Sequence, residues 1–511
     1  MKTRIILLHL LLLALLYSCA PAQKEVVLLF TNDTHSQIDP IEPTAKRNAN
    51  LGGVARRKVL IDSLRNIYPH AILVDAGDAV QGTPYFNFYG GEVETMVLNA
   101  LDYDVRTPGN HDFDNGGEAL SAQLAAFEGI TVSSNYTYER PSLQVLTQPS
   151  CIIDANGVKV GFVGLNVNPQ GLFFPSHSCE ITYHNPVTTA DSIALQLRNE
   201  GADVVIALSH LGYEGGDSIY ATDDILVQNT RYIDFVVGGH SHTTLDSAAF
   251  FTNLNGKPIA VGQTGKSGIN LGFVRLTLPA NKKNNIAVDY RLYPVDARYD
   301  NRVDTAFTAL LAPYRERVDE AMNVVIGHTD KNLSAERPYG LLGYWASDAL
   351  AHIASQLEGS PVDFALLNFG GIRADISAGD ITRGELWASF PFTNYLSVVK
   401  LKGNDVRTLF DQIAHNGGES VSREVHLVIA NDSVESVTIG GKPIDDNRCY
   451  TIATLNFVAE GGDGMTAFNK ATWRKDYPGF VYEIFESHIN KLTKEGENIS
   501  ALNDNRIVVK Q

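Results

Sequence analysis

The stretch TPGNHDFDNG, Thr107 to Gly116, sets an amide, an imidazole and two carboxylates within five positions behind a Pro-Gly turn. A solvated loop would use such residues for their turn chemistry alone. A reaction centre would give each a task, some holding a cation and others moving protons. The flanking sequence decides between the two. Between Lys24 and about Asp296, short apolar runs alternate with stretches of helical period. VVLLF (Val26–Phe30), AILVDAGD (Ala71–Asp78), VKVGFVGLN (Val158–Asn166), DVVIALSH (Asp203–His210) and DFVVGGHSH (Asp234–His242) read as strands or strands with polar ends. GVARRKVLIDSLRNI (Gly53–Ile67) and TTADSIALQLRNEG (Thr188–Gly201) read as amphipathic helices, the second closed by Gly201. Strands alternating with helices predict an α/β layered domain with much parallel pairing.

The polar residues fall where the strands end. The first strand is followed by Asp33 and His35, the second by Asp78, and a short run by Asn110, His111, Asp112 and Asp114. Two further strands end in His210 and in His240 and His242. In a layered α/β sheet such ends share one edge, where ligands bind. Left without cations, that edge would suffer desolvation and carboxylate repulsion. Divalent cations remove the cost, and nitrogen and oxygen donors without sulfur suit Mn, Zn, Fe, Co or Mg-like ions. Gly77, Gly109 and Gly239 beside these residues permit sharp turns and close backbone approach. Alone, Asp33-x-His35 is a turn, "GD" is commonplace, and a single His210 is more often structural than a ligand. The ordered set of five, with GNHD and GHSH in it, carries the inference.

The chain has 511 residues, 44% apolar and 19% charged, which predicts more than one globular domain. A formal net charge of -17 argues against a general nucleic-acid binder. Lys2 and Arg4, the apolar run Ile5–Leu16 and a small residue before Cys19 have the layout of an export signal. The pattern resembles a bacterial lipoprotein signal (residues 1–18) with lipid attached to Cys19, in a periplasmic or surface protein of the bacterial envelope. An ordinary secretory signal is the alternative. Export permits a Cys151–Cys179 disulfide, with two buried thiols as the alternative. No C-x-x-C stands in the chain, so no thiolate zinc site is expected.

Beyond the first domain, Asp304–Gly327 reads as a helix interrupted or kinked near Pro313 that connects to a second α/β region. There GLLGYWASDALAHIASQL reads as a helix, and VDFALLNFGGIR, SVVKLKG, EVHLVIAN and RCYTIATLNF as strands with turns.

The blocks D-x-H, G-D, G-N-H-D, S-H and G-H-x-H, in that order, resemble the calcineurin-like dinuclear metallophosphoesterases. NFGGIR (Asn368–Arg373), FPFTN (Phe390–Asn394) and ATLNFVAEGGDG (Ala453–Gly464) resemble the C-terminal domain of bacterial 5'-nucleotidases, a family that includes UDP-sugar hydrolases and 2',3'-cyclic phosphodiesterases. The resemblance implies an N-terminal four-layer α/β/β/α sandwich over 24–296, a linker region at 297–327, and a C-terminal α+β substrate-binding domain over 328–511. It implies one metal held by Asp33, His35, Asp78 and His242, and a second by Asp78, Asn110, His210 and His240. Some family members carry Gln where His242 stands. It further implies that His111 and Asp114 form a catalytic dyad and that Phe392 and Phe457 stack on a nucleobase. Asp463 would accept from ribose hydroxyls, Arg373 would face the phosphate and Asn394 the base, with Arg337 a further candidate. The bland reading of the two phenylalanines is core packing. The expectation is a monomeric 5'-nucleotidase with two divalent ions, open to UDP-sugar or cyclic-nucleotide cleavage. The alternatives are a non-catalytic nucleotide-binding lipoprotein and a related thiosulfohydrolase.

Overall fold

The computed structural model describes residues 24–43, 47–169, 173, 180–216, 220–279 and 285–510. The export signal, Cys19 and Cys179 of the expected disulfide lie outside the described residues. The chain divides into two compact units, Met1–Ala312 and Pro313–Gln511.

Unit 1 contains two six-stranded sheets. In the first, Glu25–Thr31 pairs in parallel with Ile72–Asp75, and that strand with Val105–Arg106. On its other side Glu25–Thr31 lies antiparallel to Asn270–Thr277. In the second, Val158–Asn166, Val204–His210, Phe235–Gly238 and Pro258–Gly262 form a parallel run. Antiparallel strands close its two edges, Ser150–Ala155 and Ala249–Thr252.

Alternation along the strands separates two apolar faces. Leu28, Phe30 and Val74 of one sheet share a buried cluster with Phe162, Ile206, Leu208 and Val237 of the other, so the sheets pack face to face. Val163, Val205, Ala207 and Val236 point the opposite way, into a cluster with Ala190, Ala194 and Leu197 of the helix Pro186–Asn199. Asn185 caps that helix, its side chain accepting from the N–H groups of Val187 and Thr188 at 3.0 and 3.1 Å. Fully buried strands explain the near-continuous apolar runs in the sequence.

The pairing continues past the strand ends. Asp33 N–H donates to Gly77 O at 2.9 Å and His35 N–H to Asp78 O at 3.0 Å. The sheets thereby bring the polar tails of sequence-distant strands together.

Unit 2 has a five-stranded mixed sheet and a four-stranded sheet. The helices Leu341–Glu358, Gly403–His415 and Val481–Lys494 contribute to one large core with them. One expectation fails here. The segment Asp304–Gly327 is not an interrupted helix: Thr305–Met322 runs unbroken through Pro313, and Val325–Thr329 leaves it as a strand paired with Gly379–Thr382. The consecutive valines 324 and 325 favour extended backbone, and the helix ends before them, not at Gly327.

Phe30 sits near the end of the strand that leads to Asp33, fully buried, with Gly272 against its ring. A Cβ at Gly272 would lie 2.3 Å from that ring. Gly272→Ala is therefore expected to cost about 1–3 kcal/mol, the usual range for overpacking a core. Scanning calorimetry should show a lowered transition midpoint, and an unchanged midpoint would show that Phe30 yields freely.

Candidate metal centre

All seven candidate ligands are in unit 1, and six of them form two groups. Ligand atoms of Asp33, His35 and His242 lie within 4.8 Å of one another, as do those of Asp78, His210 and His240. His35 Nε2 is 2.9 Å from His242 Nε2, and both face Asp33 Oδ1 at 3.8 and 3.5 Å. Asn110 Oδ1 lies 2.8 Å from His240 Nδ1 and 3.1 Å from His210 Nε2, which adds the seventh residue to the second group. His210 Nε2 is also 3.0 Å from Asp78 Oδ2 and 4.0 Å from Asp33 Oδ1, linking the groups.

The donor chemistry fits cations. His210 Nδ1 is 2.8 Å from the Ala76 carbonyl, so that nitrogen donates, and Nε2 faces Asp78 and Asn110, which are acceptors: it meets them as N–H without a cation and would offer a lone pair to one. Lone pairs converging on one another are relieved by a cation, or by protons in its place. The titration behaviour shows the second solution at work. Burial raises Asp33 to about 7 against the pull of His210. Burial lowers His35 and His240 to about 3 and His242 to about 4, leaving three neutral rings with free lone pairs. Burial disfavours charge on His210, yet Asp78 outweighs it and lifts the ring to about 10. Asp78, opposed by burial but attracted by His210 and His111, stays ionised.

The backbone is bent to make this convergence. Asp33, His35, Asp78, His240 and His242 have φ between 48° and 69°, the left-handed region that Asp and His enter more readily than most side chains. Such conformations cost about 1–3 kcal/mol each and concentrate at functional sites. Glycines handle the closest approaches. A Cβ at Gly109 would meet Asp78 Oδ1 at 2.2 Å, and one at Gly239 would meet His210 Nδ1 at 2.9 Å.

His111 and Asp114 stand together as expected, His111 Nδ1 being 2.8 Å from Asp114 Oδ2. Burial opposes charge on His111, but Asp114 and Asp78 override it and raise the ring to about 9. Cations at Asp78 would cancel that residue's share and leave the share of Asp114. Between the pair, Phe113 points into an aromatic cluster, its ring 4.8 Å from Phe173 and 6.1 Å from Tyr136. This anchor fixes the short 3-10 turn His111–Phe113.

Several residues escape a reading by motif. Asn32 is fully buried, donates to Asp33 Oδ2 at 2.6 Å and accepts from Thr264 N–H at 2.8 Å. Arg106, also fully buried, ion-pairs with Asp112. For Arg106 the only sequence signal is a charged residue at a strand position that should be apolar, and Asn32 follows its strand as a turn residue would.

In unit 2 the aromatic candidates are not core. Phe392 and Phe457 are 37% and 42% exposed. The Arg373 guanidinium lies 5.4 Å over the Phe392 ring and donates to Gly370 O at 3.0 Å. Asp463 Oδ2 accepts from Asn368 Nδ2 at 2.7 Å. Gly462 packs on the Phe457 ring so closely that a Cβ would stand 2.4 Å away. Asn394 contributes its carbonyl to the Val481 N–H at 2.7 Å. Arg337 donates to buried Glu419 at 2.8 Å and lies 5.9 Å over Phe369, next to the Asn368 turn.

Comparison with known proteins agrees with this geometry. Residues 26–244 match the calcineurin-like phosphoesterase family and residues 325–470 the 5'-nucleotidase C-terminal domain. The chain is 26% identical to the trifunctional nucleotide phosphoesterase protein YfkN of Bacillus subtilis over 94% of its own length, and spans 35% of that longer protein. It is 28% identical to protein UshA of Yersinia enterocolitica over 91% of each chain. The crystal structure of a 5'-nucleotidase precursor from Thermus thermophilus superposes with a TM-score of 0.75 at 27% identity, over 95% of this chain and 99% of that one. With a calcineurin-like phosphoesterase domain followed by a 5'-nucleotidase C-terminal domain, and two candidate cation groups in the first, the chain belongs to the 5'-nucleotidase family of dinuclear metallophosphoesterases, hydrolases of phosphoester bonds.

Proposed function

We propose that the protein releases phosphate from nucleoside 5'-monophosphates. The observation that carries this reading is the His111–Asp114 pair beside two convergent ligand groups, since a protein that only captured nucleotides would need no proton-transfer pair. The names of the relatives, a nucleotide phosphoesterase and a 5'-nucleotidase, support the substrate class.

In this proposal one ion is held by Asp33, His35, Asp78 and His242, and the other by Asp78, Asn110, His210 and His240. Two divalent ions supply charge neutralisation for the phosphate and lower the pKa of a shared water. The chain's own residues do the rest. Asp78 bridges the two groups, and Asn110 adds a neutral oxygen where a third carboxylate would increase repulsion. With Nδ1 of His111 engaged by Asp114, the proton available to the leaving oxygen is the one on Nε2. Asp114 orients the ring and favours its charged form. In unit 2, Phe392 and Phe457 provide exposed aromatic faces for a base, Asp463 an acceptor for ribose hydroxyls and Asn394 a polar contact, while Arg373 carries charge for the phosphate. Stacking supplies about 1–3 kcal/mol per base and tolerates different bases.

We also propose that the protein is exported by its N-terminal segment, anchored by lipid on Cys19, and works as a monomer. The basic start and the short apolar run before the cysteine support this.

Three outcomes are expected. His111→Ala should keep two ions by elemental analysis while losing about 10²–10⁴ in turnover of AMP; normal turnover with both ions bound would remove His111 from the mechanism. Phe457→Ala should raise KM for AMP far more than for a small artificial phosphate ester, and an equal effect on both would argue against stacking. Cys19→Ala should abolish incorporation of labelled fatty acid in a bacterial host, and undiminished labelling would refute the anchor.

A further inference from the structure

Asp112 lies in the stretch Thr107–Gly116, yet neither the ligand groups nor the proton-transfer pair uses it. We propose that Asp112, backed by Arg106, is a positioning residue that fixes the loop carrying Asp78 against the loop carrying Asn110 and His111, and so sets the spacing of the ligand groups. The proposal rests on the two-ion reading of the site.

The two loops follow different strands, Ile72–Asp75 and Val105–Arg106, which pair only as Val74 with Val105 and Asp75 with Arg106. Past Arg106 another contact must hold the loops in register. Side-chain carboxylates do so, reciprocally. Asp112 Oδ2 accepts from the N–H of Asp78 at 3.0 Å and from the N–H of Gly109 at 2.7 Å. Asp78 Oδ1 in turn accepts from the N–H of His111 at 2.8 Å. The backbone of the bridging candidate is thus held by Asp112, while its side chain holds the backbone of the proton donor. A displacement of Asp112 would move both.

The cost of placing this carboxylate inside is met by Arg106. Asp112 is 2% exposed and Arg106 0%, and Arg106 Nη2 donates to Asp112 Oδ1. The guanidinium lies 5.7 Å over the Phe127 ring, on a side chain that begins within the strand. Breaking such a pair from one side leaves an uncompensated buried charge. A plain turn residue would need none of this, since its carboxylate would serve one local N–H at the surface.

Manganese binding to the apoprotein tests the idea, with free Mn²⁺ read by electron paramagnetic resonance and folding by circular dichroism. An asparagine in place of Asp112 has one acceptor oxygen, whereas Arg106 on one side and two backbone N–H groups on the other both require one. D112N should therefore weaken the second ion's binding by about 10–100-fold, the range for groups that orient metal ligands. The double variant D112N/R106Q should recover most of that loss. The glutamine carbonyl introduced by R106Q can accept from the asparagine amide and free the asparagine oxygen for Asp78 and Gly109. A D112N protein that binds two ions as tightly as wild type overturns the proposal, as does a folded double variant no better than D112N. If D112N alone fails to fold, the double variant decides: near wild-type binding supports the assignment and a loosened second ion defeats it. Failure of both to fold would make Asp112 a structural residue and equally overturn it. A wild-type protein that binds fewer than two ions would instead refute the two-ion reading.

Discussion

The organising constraint in unit 1 is the crowding of lone pairs at one sheet edge. The Asp78 carboxylate, an amide oxygen and several imidazole nitrogens approach within hydrogen-bonding distance, and Asp33 lies 3.5 to 4.0 Å from three of the rings. Burial makes that arrangement expensive in proportion to its dryness, since Asp33, Asp78 and His210 are almost completely covered. The surrounding features follow from it. Glycines stand where a side chain would block the approach, candidate ligands accept left-handed backbone, and the buried Asn32 holds Asp33 from behind. Such strain persists only when the surrounding packing over-determines it, and here two sheets packed face to face supply that packing.

The fold of unit 1 was legible because its strands are buried on both faces and read as apolar runs, each closed by a polar residue that has no reason to be there except the edge. The ligand set was legible for the same reason: Asp33, Asp78, Asn110, His210 and His240 interrupt a pattern. Arg106 interrupts it too, but a lone arginine in a two-residue strand carries no spacing that could be matched, and its partner Asp112 hides inside a turn-like sequence. Asn32 fails for the opposite reason, since an Asn before an Asp reads as a turn. The segment after Asp304 shows the limit at element ends. Proline there suggested a break, whereas the helix passes through Pro313 and the valines after Met322 change the conformation instead. For Phe392 and Phe457, composition favoured the core. Both rings are partly exposed, and Gly462 packs against that of Phe457.

The two units solve different physical problems. Phosphate chemistry needs concentrated positive charge and fixed proton donors, which a dense parallel edge provides. Unit 2 instead presents partly exposed rings, Phe392 and Phe457, with the Arg373 guanidinium over the first.

Electrostatics ties these features together. With a formal charge of -17 the chain repels anions at long range, and screening confines that repulsion to roughly 8 Å at physiological salt. A phosphate ester arriving at the edge would therefore meet further carboxylates unless the local sign were reversed. Burial raises Asp33, and Asp78 raises His210 against burial, so without cations protons would offset part of that charge. Protons are poor substitutes: each neutralises a single carboxylate or charges a single ring and offers no open coordination position. Divalent ions at the two groups would each neutralise more charge than a proton, and the neutral rings of His35, His240 and His242 would be available as ligands. The acidity of the edge is therefore the source of its affinity for cations, and the cations make an otherwise acidic surface into an anion site.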